Sequence, residues 1–238
     1  MSAGAVGRID VHSHLLPGID DGCKSAEQSI ECGRMLAGAG YTHVFCTPHV
    51  MPMYPHIHRA NVVKWTQALQ DQLRRAGSAL TLMPGGELNL NPAVLEMSRE
   101  QVIPLGTGKY VLTDIWCDAL PEFFEKCVRW LQKMELTVIL AHPERCRAVQ
   151  LQPHLADWFA ELGVLLQGNL QCLNDPPTAP TRQVAERYLK DGRYFVLGSD
   201  THNPQGLVER LSGLSKAIQM VGEEATKQLT IVNPQKLL

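Results

Sequence analysis

The chain has 238 residues, 45% of them hydrophobic, and a formal net charge of -2. It is long enough to bury a sizeable core as one domain over residues 1–238, and too near neutral to offer a basic surface to nucleic acid or an anionic membrane. Its seven cysteines are odd in number and irregularly spaced, with no Cys-x-x-Cys pair and no arginine six positions after any of them. That argues against a disulfide framework, a zinc ribbon and the phosphate loop of cysteine phosphatases, and for a reducing compartment. With no leader-like run before Arg8 and no stretch of ~18 apolar residues, the expectation is a cytoplasmic protein without a membrane span.

Taken in chain order, apolar strand patterns alternate with helical ones. Residues 8–11 read as a strand running into His12-Ser13-His14. Ser25-Ala26-Glu27-Gln28 has the form of a capping box, and the helix it opens stops at Gly38-Ala39-Gly40. Residues 44–46 lead to Thr47-Pro48-His49, followed by a long loop and a helix from near Asn61 to Gly77. Residues 80–83 lead to Gly85-Gly86-Glu87, and a short helix is expected over 92–100. Residues 110–113 end at Asp114, and Pro121 opens a helix with Phe124, Cys127, Val128 and Leu131 on one stripe. Residues 138–141 end at His142, and a helix follows from Pro153 to Gly163. Residues 164–166 lead to Gln167-Gly168-Asn169, which is polar but uncharged, then a helix over 181–190 stops at Gly192. Residues 195–198 lead to Ser199-Asp200-Thr201-His202, and the last helix spans about 204–221.

Seven such alternations predict an α/β fold, a distorted (β/α)7 TIM-like barrel. In a parallel barrel the C-terminal strand ends share one face, where barrel enzymes keep their chemistry. Six of the seven strands run into His or carboxylate, and a His-x-His pair at a strand end points both imidazoles to the same side. Simple polar capping of a barrel would not select those residue types so uniformly. The pattern points to a polynuclear metal centre.

The residues from Asp10 to Gly22, Asp-Val-His-Ser-His-Leu-Leu-Pro-Gly-Ile-Asp-Asp-Gly, resemble the opening motif of the polymerase and histidinol phosphatase (PHP) superfamily. Together with Thr47-Pro48-His49, Ala141-His142-Pro143-Glu144-Arg145 and Ser199-Asp200-Thr201-His202-Asn203, they are similar to the manganese-dependent protein-tyrosine phosphatases of bacterial capsule and exopolysaccharide systems, the CpsB type. The resemblance implies a PHP fold and up to three divalent ions, manganese first, with iron and zinc as alternatives. One ion would take His12, His14, Glu87 and Asp200. A second would share Glu87 and add Asp114 and His142, and a third would take Asp21, His49 and His202. Arg145, Glu87 and His202 would be the catalytic residues, with Arg145 clamping phosphate through a bidentate guanidinium. The implied partner is a phosphotyrosine protein, a tyrosine autokinase of polysaccharide export.

Two positions depart from that pattern. Asp114 stands where relatives mostly carry Glu. Leu207 stands where they carry a second phosphate-side arginine, and Arg210 or Arg59 are the residues placed to substitute for it. Competing readings are another PHP hydrolase, acting on histidinol phosphate or a phosphodiester, and a non-catalytic metal-binding homologue. An amidohydrolase would want a lysine at a strand end, and none is found. Of the remaining residues, Asp20 is expected to support the turn beside Asp21, Asp10 to hold a ligand histidine, and Trp116 to line the substrate mouth. His56 and His58 read as rim or solvent residues, and His43 and His154 as packing and surface residues.

Overall fold

The computed structural model describes residues 7–116 and 118–238. Cys117 and residues 1–6, over which the leader and cysteine readings also ran, lie outside them. The strands are β1 (Arg8–Asp10), β2 (Tyr41–Cys46), β3 (His49–Val50), β4 (Thr81–Pro84), β5 (Glu87–Asn89), β6 (Tyr110–Asp114), β7 (Thr137–Ala141), β8 (Leu165–Asn169) and β9 (Val196–Gly198). They form two parallel sheets, ordered β1-β2-β4 and β3-β5-β6-β7-β8-β9.

Seven expected strands appear as nine segments because two are interrupted. Thr47-Pro48 separates β2 from β3, and a proline has no N–H to give to a ladder. Gly85-Gly86 separates β4 from β5, and there the backbone passes too close to its neighbours for a side chain. A Cβ at Gly85 would stand 2.6 Å from Leu105 Cδ2, and one at Gly86 would stand 2.8 Å from Val50 Cγ2. Backbone bonding bridges both breaks, Gly85 N to Cys46 O at 3.0 Å and Glu87 N to Pro48 O at 3.0 Å. Past β9 the chain returns to the segment after β1: Asp200 N donates to His12 O and His14 N to Thr201 O, both at 2.8 Å, around a parallel bridge between Ser13 and Thr201.

The helices are α1 (Ala26–Gly38), α2 (Arg59–Arg75), α3 (Phe123–Lys133), α4 (Arg147–Leu151), α5 (Leu155–Glu161), α6 (Pro180–Lys190) and α7 (Pro204–Lys227). Ser25 caps α1 by accepting from Gln28 N. Gln28 reaches back to Lys24 N at 2.9 Å, one residue short of the reciprocal bond of a capping box. α3 buries the expected Phe124, Cys127, Val128 and Leu131. The helix expected over 92–100 is a single 3-10 turn, Pro92–Glu96, and α4 was not foreshadowed by any apolar period. α7 breaks its helical geometry at Gly222, with φ 85°, and resumes. Among the described residues no helix is long and apolar enough to cross a membrane. No disulfide is found among them either.

Two apolar clusters follow from the period-two alternation of the strands. Ile9, Val11, Phe45, Leu105, Leu112, Ile139, Val196 and Leu237 form an inner cluster, and every one of them is almost fully buried. The alternate strand residues, such as Val44, Val111, Val138, Leu140 and Leu166, face the helices in a larger outer one. Leu237 reaches the inner cluster from a 3-10 turn, Pro234–Leu237, whose carbonyl at Leu237 accepts from Thr107 N at 2.8 Å.

Candidate metal centre and active-site cleft

His12 and His14 follow β1 and are fully buried. Each is gripped through Nδ1. His12 Nδ1 lies 2.8 Å from Gln167 Oε1, and His14 Nδ1 lies 2.8 Å from Asp20 Oδ2. The amide of Gln167 is oriented by its donation to Gly168 O, so its oxygen is the atom facing the imidazole. Both partners accept, so both Nδ1 atoms carry a proton and both Nε2 atoms point into the site. Those two Nε2 atoms are 3.2 Å apart. Two ring nitrogens at that distance need a proton or a metal cation between them.

The pairing register sets Glu87 of β5 opposite His49 of β3, and Asn89 opposite Asp114 of β6. Glu87 is fully buried, with Oε1 3.0 Å from His142 Nε2 and Oε2 2.9 Å from His49 Nδ1. It also stands 3.3 Å from His12 Nε2 and 3.4 Å from His14 Nε2. Burial works to raise the Glu87 carboxyl, but the surrounding imidazoles, His12 foremost, hold it well below the usual range. Asp114 goes the other way: burial and the charge of Glu87 push it up to about 7. Asn89 Nδ2 donates to Asp114 Oδ1 at 3.1 Å. Glu87 Oε2 and His49 Nδ1 face each other as an ion pair without hydrogen-bond alignment, and Asp114 Oδ2 is buried with no hydrogen-bond partner, a costly condition that a cation among them would relieve.

Asp200 and His142 both sit in left-handed backbone, at φ 53° and φ 35°. Such strain in non-glycine residues gathers at functional sites. Asp200 Oδ1 lies 3.4 Å from both His12 and His14 Nε2. Its Oδ2 accepts from Asn169 Nδ2 at 2.8 Å and pairs with Arg145 Nη1 at 2.9 Å. Its carbonyl accepts from Arg210 Nε at 2.9 Å and from His202 Nδ1 at 2.8 Å. His202 and His49 each place Nε2 3.4 Å from Asp21 Oδ1 at the rim.

The nine residues gather in four overlapping groups whose ligand atoms lie within 4.8 Å: His14-Asp21-His49-His202, His12-His14-Asp200, His12-Glu87-His142 and His49-Glu87-Asp114. Among the described residues no such group holds both Asp114 and His142. The short Asp side chain turns toward His49 instead. A cleft of about 580 Å³ opens over these groups, lined by Asp21, His49, His142, Arg145, Asp200 and His202, with Trp116 at its mouth.

Several supporting residues differ from expectation. Asp20 does hold the turn, accepting from Gly22 N at 3.0 Å besides gripping His14. Asp10 does not hold an imidazole: it accepts from the backbone N of His12 and Ser199, and Gln167 holds the ring. Arg210 is buried with Nη1 on Gly206 O, so it braces Asp200 from behind and does not stand in for a clamp at the cleft. Arg59 opens α2, exposed and outside the cleft lining. Leu207 is fully buried in the outer apolar cluster. His56 is an exposed residue against Ile19 O, and His43 bonds Thr42 at 2.9 Å. Glu144, Gln167 and Asn169 were missed. Buried Glu144 accepts from Asn169 N and from Tyr194 Oη, and Asn169 carries that order to Asp200. Their signal was position: Gln167 and Asn169 end a strand as the histidines and carboxylates do.

The chain has known relatives. YwqE of Bacillus subtilis, a tyrosine-protein phosphatase, is 27% identical over 82% of this chain and 77% of its own length. CpsB of Streptococcus agalactiae, also a tyrosine-protein phosphatase, is 24% identical over 97% of this chain and 98% of its own. A chain from the crystal structures of YwqE and of CpsB from Streptococcus pneumoniae, described as unique metal-dependent tyrosine phosphatases, superposes with a TM-score of 0.88 at 26% identity, covering 97% of this chain and 94% of that one. The phosphotriesterase homology protein of Escherichia coli shares the fold alone, at a TM-score of 0.65 and 10% identity. The family model for capsular polysaccharide synthesis, CpsB/CapC, matches residues 8–238, and the chain belongs to that family.

Proposed function

We propose that this chain is a metal-dependent protein-tyrosine phosphatase whose two sheets, taken as one distorted seven-stranded barrel, form a single domain carrying up to three divalent ions, manganese first. His12, His14, Glu87 and Asp200 would hold one ion, Glu87 and His142 a second, with Asp114 turning in from His49 to complete it, and Asp21, His49 and His202 the third. The observation that carries this reading is the convergence of nine His, Asp and Glu side chains in four overlapping ligand groups beneath one cleft. Mixed imidazole and carboxylate donors suit manganese, iron or zinc.

Bound there, divalent ions supply Lewis acidity and a water acidic enough to attack at neutral pH. The chain does the rest. Arg145, held against Asp200 and Gln171, offers its guanidinium to phosphate oxygens and gathers charge as the P–O bond breaks. Asn169 and Arg145 together fix Asp200, so its free oxygen faces the imidazoles. Glu87 holds the centre of the cluster and His202 its open side. A phenol leaving group has a pKa near 10, so it departs with less protonation than an alkoxide needs. The capsule family and its tyrosine phosphatase members support a phosphotyrosine protein as substrate, and we propose a tyrosine autokinase of polysaccharide export as that protein.

The test is a substrate panel on manganese-loaded protein: phosphotyrosine peptide, histidinol phosphate and a phosphodiester. Phosphotyrosine turnover that chelation abolishes supports the reading. Preference for either other substrate moves the chain to a different PHP hydrolase, and no turnover at all makes it a binding homologue.

A further inference from the structure

Trp116 is 60% exposed, an unusual state for so large an apolar ring. It follows Asp114 by two residues, so its backbone is anchored at the buried end of β6. Its indole lines the cleft and stands perpendicular to the His49 imidazole, with centroids 5.4 Å apart. Tyr54 also faces His49, parallel at 6.4 Å, but it lies outside the cleft lining.

We infer that Trp116 is the platform for the substrate's aromatic ring, so that the cleft selects aryl over alkyl phosphomonoesters by contact as well as by leaving group. This rests on the phosphatase reading. A phosphotyrosine ring lies one ester oxygen from phosphorus. With phosphate held between Arg145 and the His49–His202 rim, the ring must leave the cleft at its mouth, where Trp116 stands. An indole face takes such a ring by offset or edge-on packing and excludes water from one side of it.

The test uses phosphonates, which are not hydrolysed, so leaving-group chemistry cannot contribute. In the manganese-loaded wild type, phenylphosphonate should inhibit about tenfold more strongly than methylphosphonate, the scale of one aromatic pair with its buried area. Trp116→Ala should bring that ratio near one, Trp116→Phe should restore most of it, and Tyr54→Ala should leave it in place. A wild-type ratio near one, or a ratio that survives Trp116→Ala, overturns the inference while leaving the phosphatase reading standing. A protein that turns over no phosphomonoester and binds neither phosphonate overturns both.

Discussion

The two sides of the ligand cluster are built differently. Around His12 and His14 both Nδ1 atoms are occupied: Gln167 and Asp20 hold the rings and turn the Nε2 atoms into the ligand cluster. Around Glu87 and Asp114 the neighbours are imidazoles and one amide, each carboxylate keeps one oxygen without a hydrogen bond, and Asp114 is pushed up to about 7. The first side is organised before any ion arrives. The second is a concentration of buried negative charge that needs one. Metal affinity and metal-free instability thus have separate addresses a few ångströms apart.

The sharpest way to break this comparison is Glu87→Gln. It neutralises the residue that touches four imidazoles, and turnover should fall on the order of 10³-fold, the scale of losing a principal electrostatic contact. Elemental analysis should show less metal per chain. Wild-type turnover with full metal content would remove Glu87 from the centre. Next, Arg145→Ala should cost about 10- to 150-fold in kcat/KM for an aryl phosphate, the worth of one charged hydrogen bond. Metal content should hold, because Asn169 and Arg210 still fix Asp200 when Arg145 is gone.

Gln167→Ala probes the organised side. Freed at Nδ1, His12 should lose tautomer control, and metal affinity should drop about 10- to 100-fold. Titration with manganese would measure this, and an unchanged affinity would mean packing alone fixes the ring. The smallest effect, and the one that separates the two sides, is on stability. Asp114 has a folded pKa above its unfolded value, so in metal-free protein its ionisation opposes folding. That penalty is absent below about pH 4 and complete above about pH 7. Asp114→Asn should therefore raise the metal-free Tm at pH 8 and leave it nearly unchanged at pH 4. With metal the same change should lower the Tm at pH 8. A metal-free Tm that falls at pH 8 would sink the idea of stored repulsion.

Much of this was legible in sequence because strand ends announce themselves. An apolar run closing on His142 or Asp114 fixes both the element and the direction of its last side chain. The short strands β3 and β5 were not read, because the apolar runs stop at Cys46 and Met83, ahead of Thr47-Pro48 and Gly85-Gly86. Gln167 was passed over because a neutral amide carries no metal-ligand signature, and its role depends on His12, 155 residues away. Arg210 and Leu207 misled for a related reason. Helical spacing tells which residues share a face, but only packing tells that this face is turned into the molecule. There Arg210 finds a backbone carbonyl, and an arginine at 207 would have to bury a charge among leucines.

Leu237 carries a kinetic consequence. It completes the inner cluster with Ile9 and Val11, residues from the opposite end of the sequence. During synthesis the strands emerge in order, but the interior stays open to water until position 237 clears the ribosome. The inner cluster therefore closes after translation of nearly all the described chain, through contacts of very long sequence separation, which form slowly. Until then the exposed parallel edges are available to chaperones and to other nascent chains.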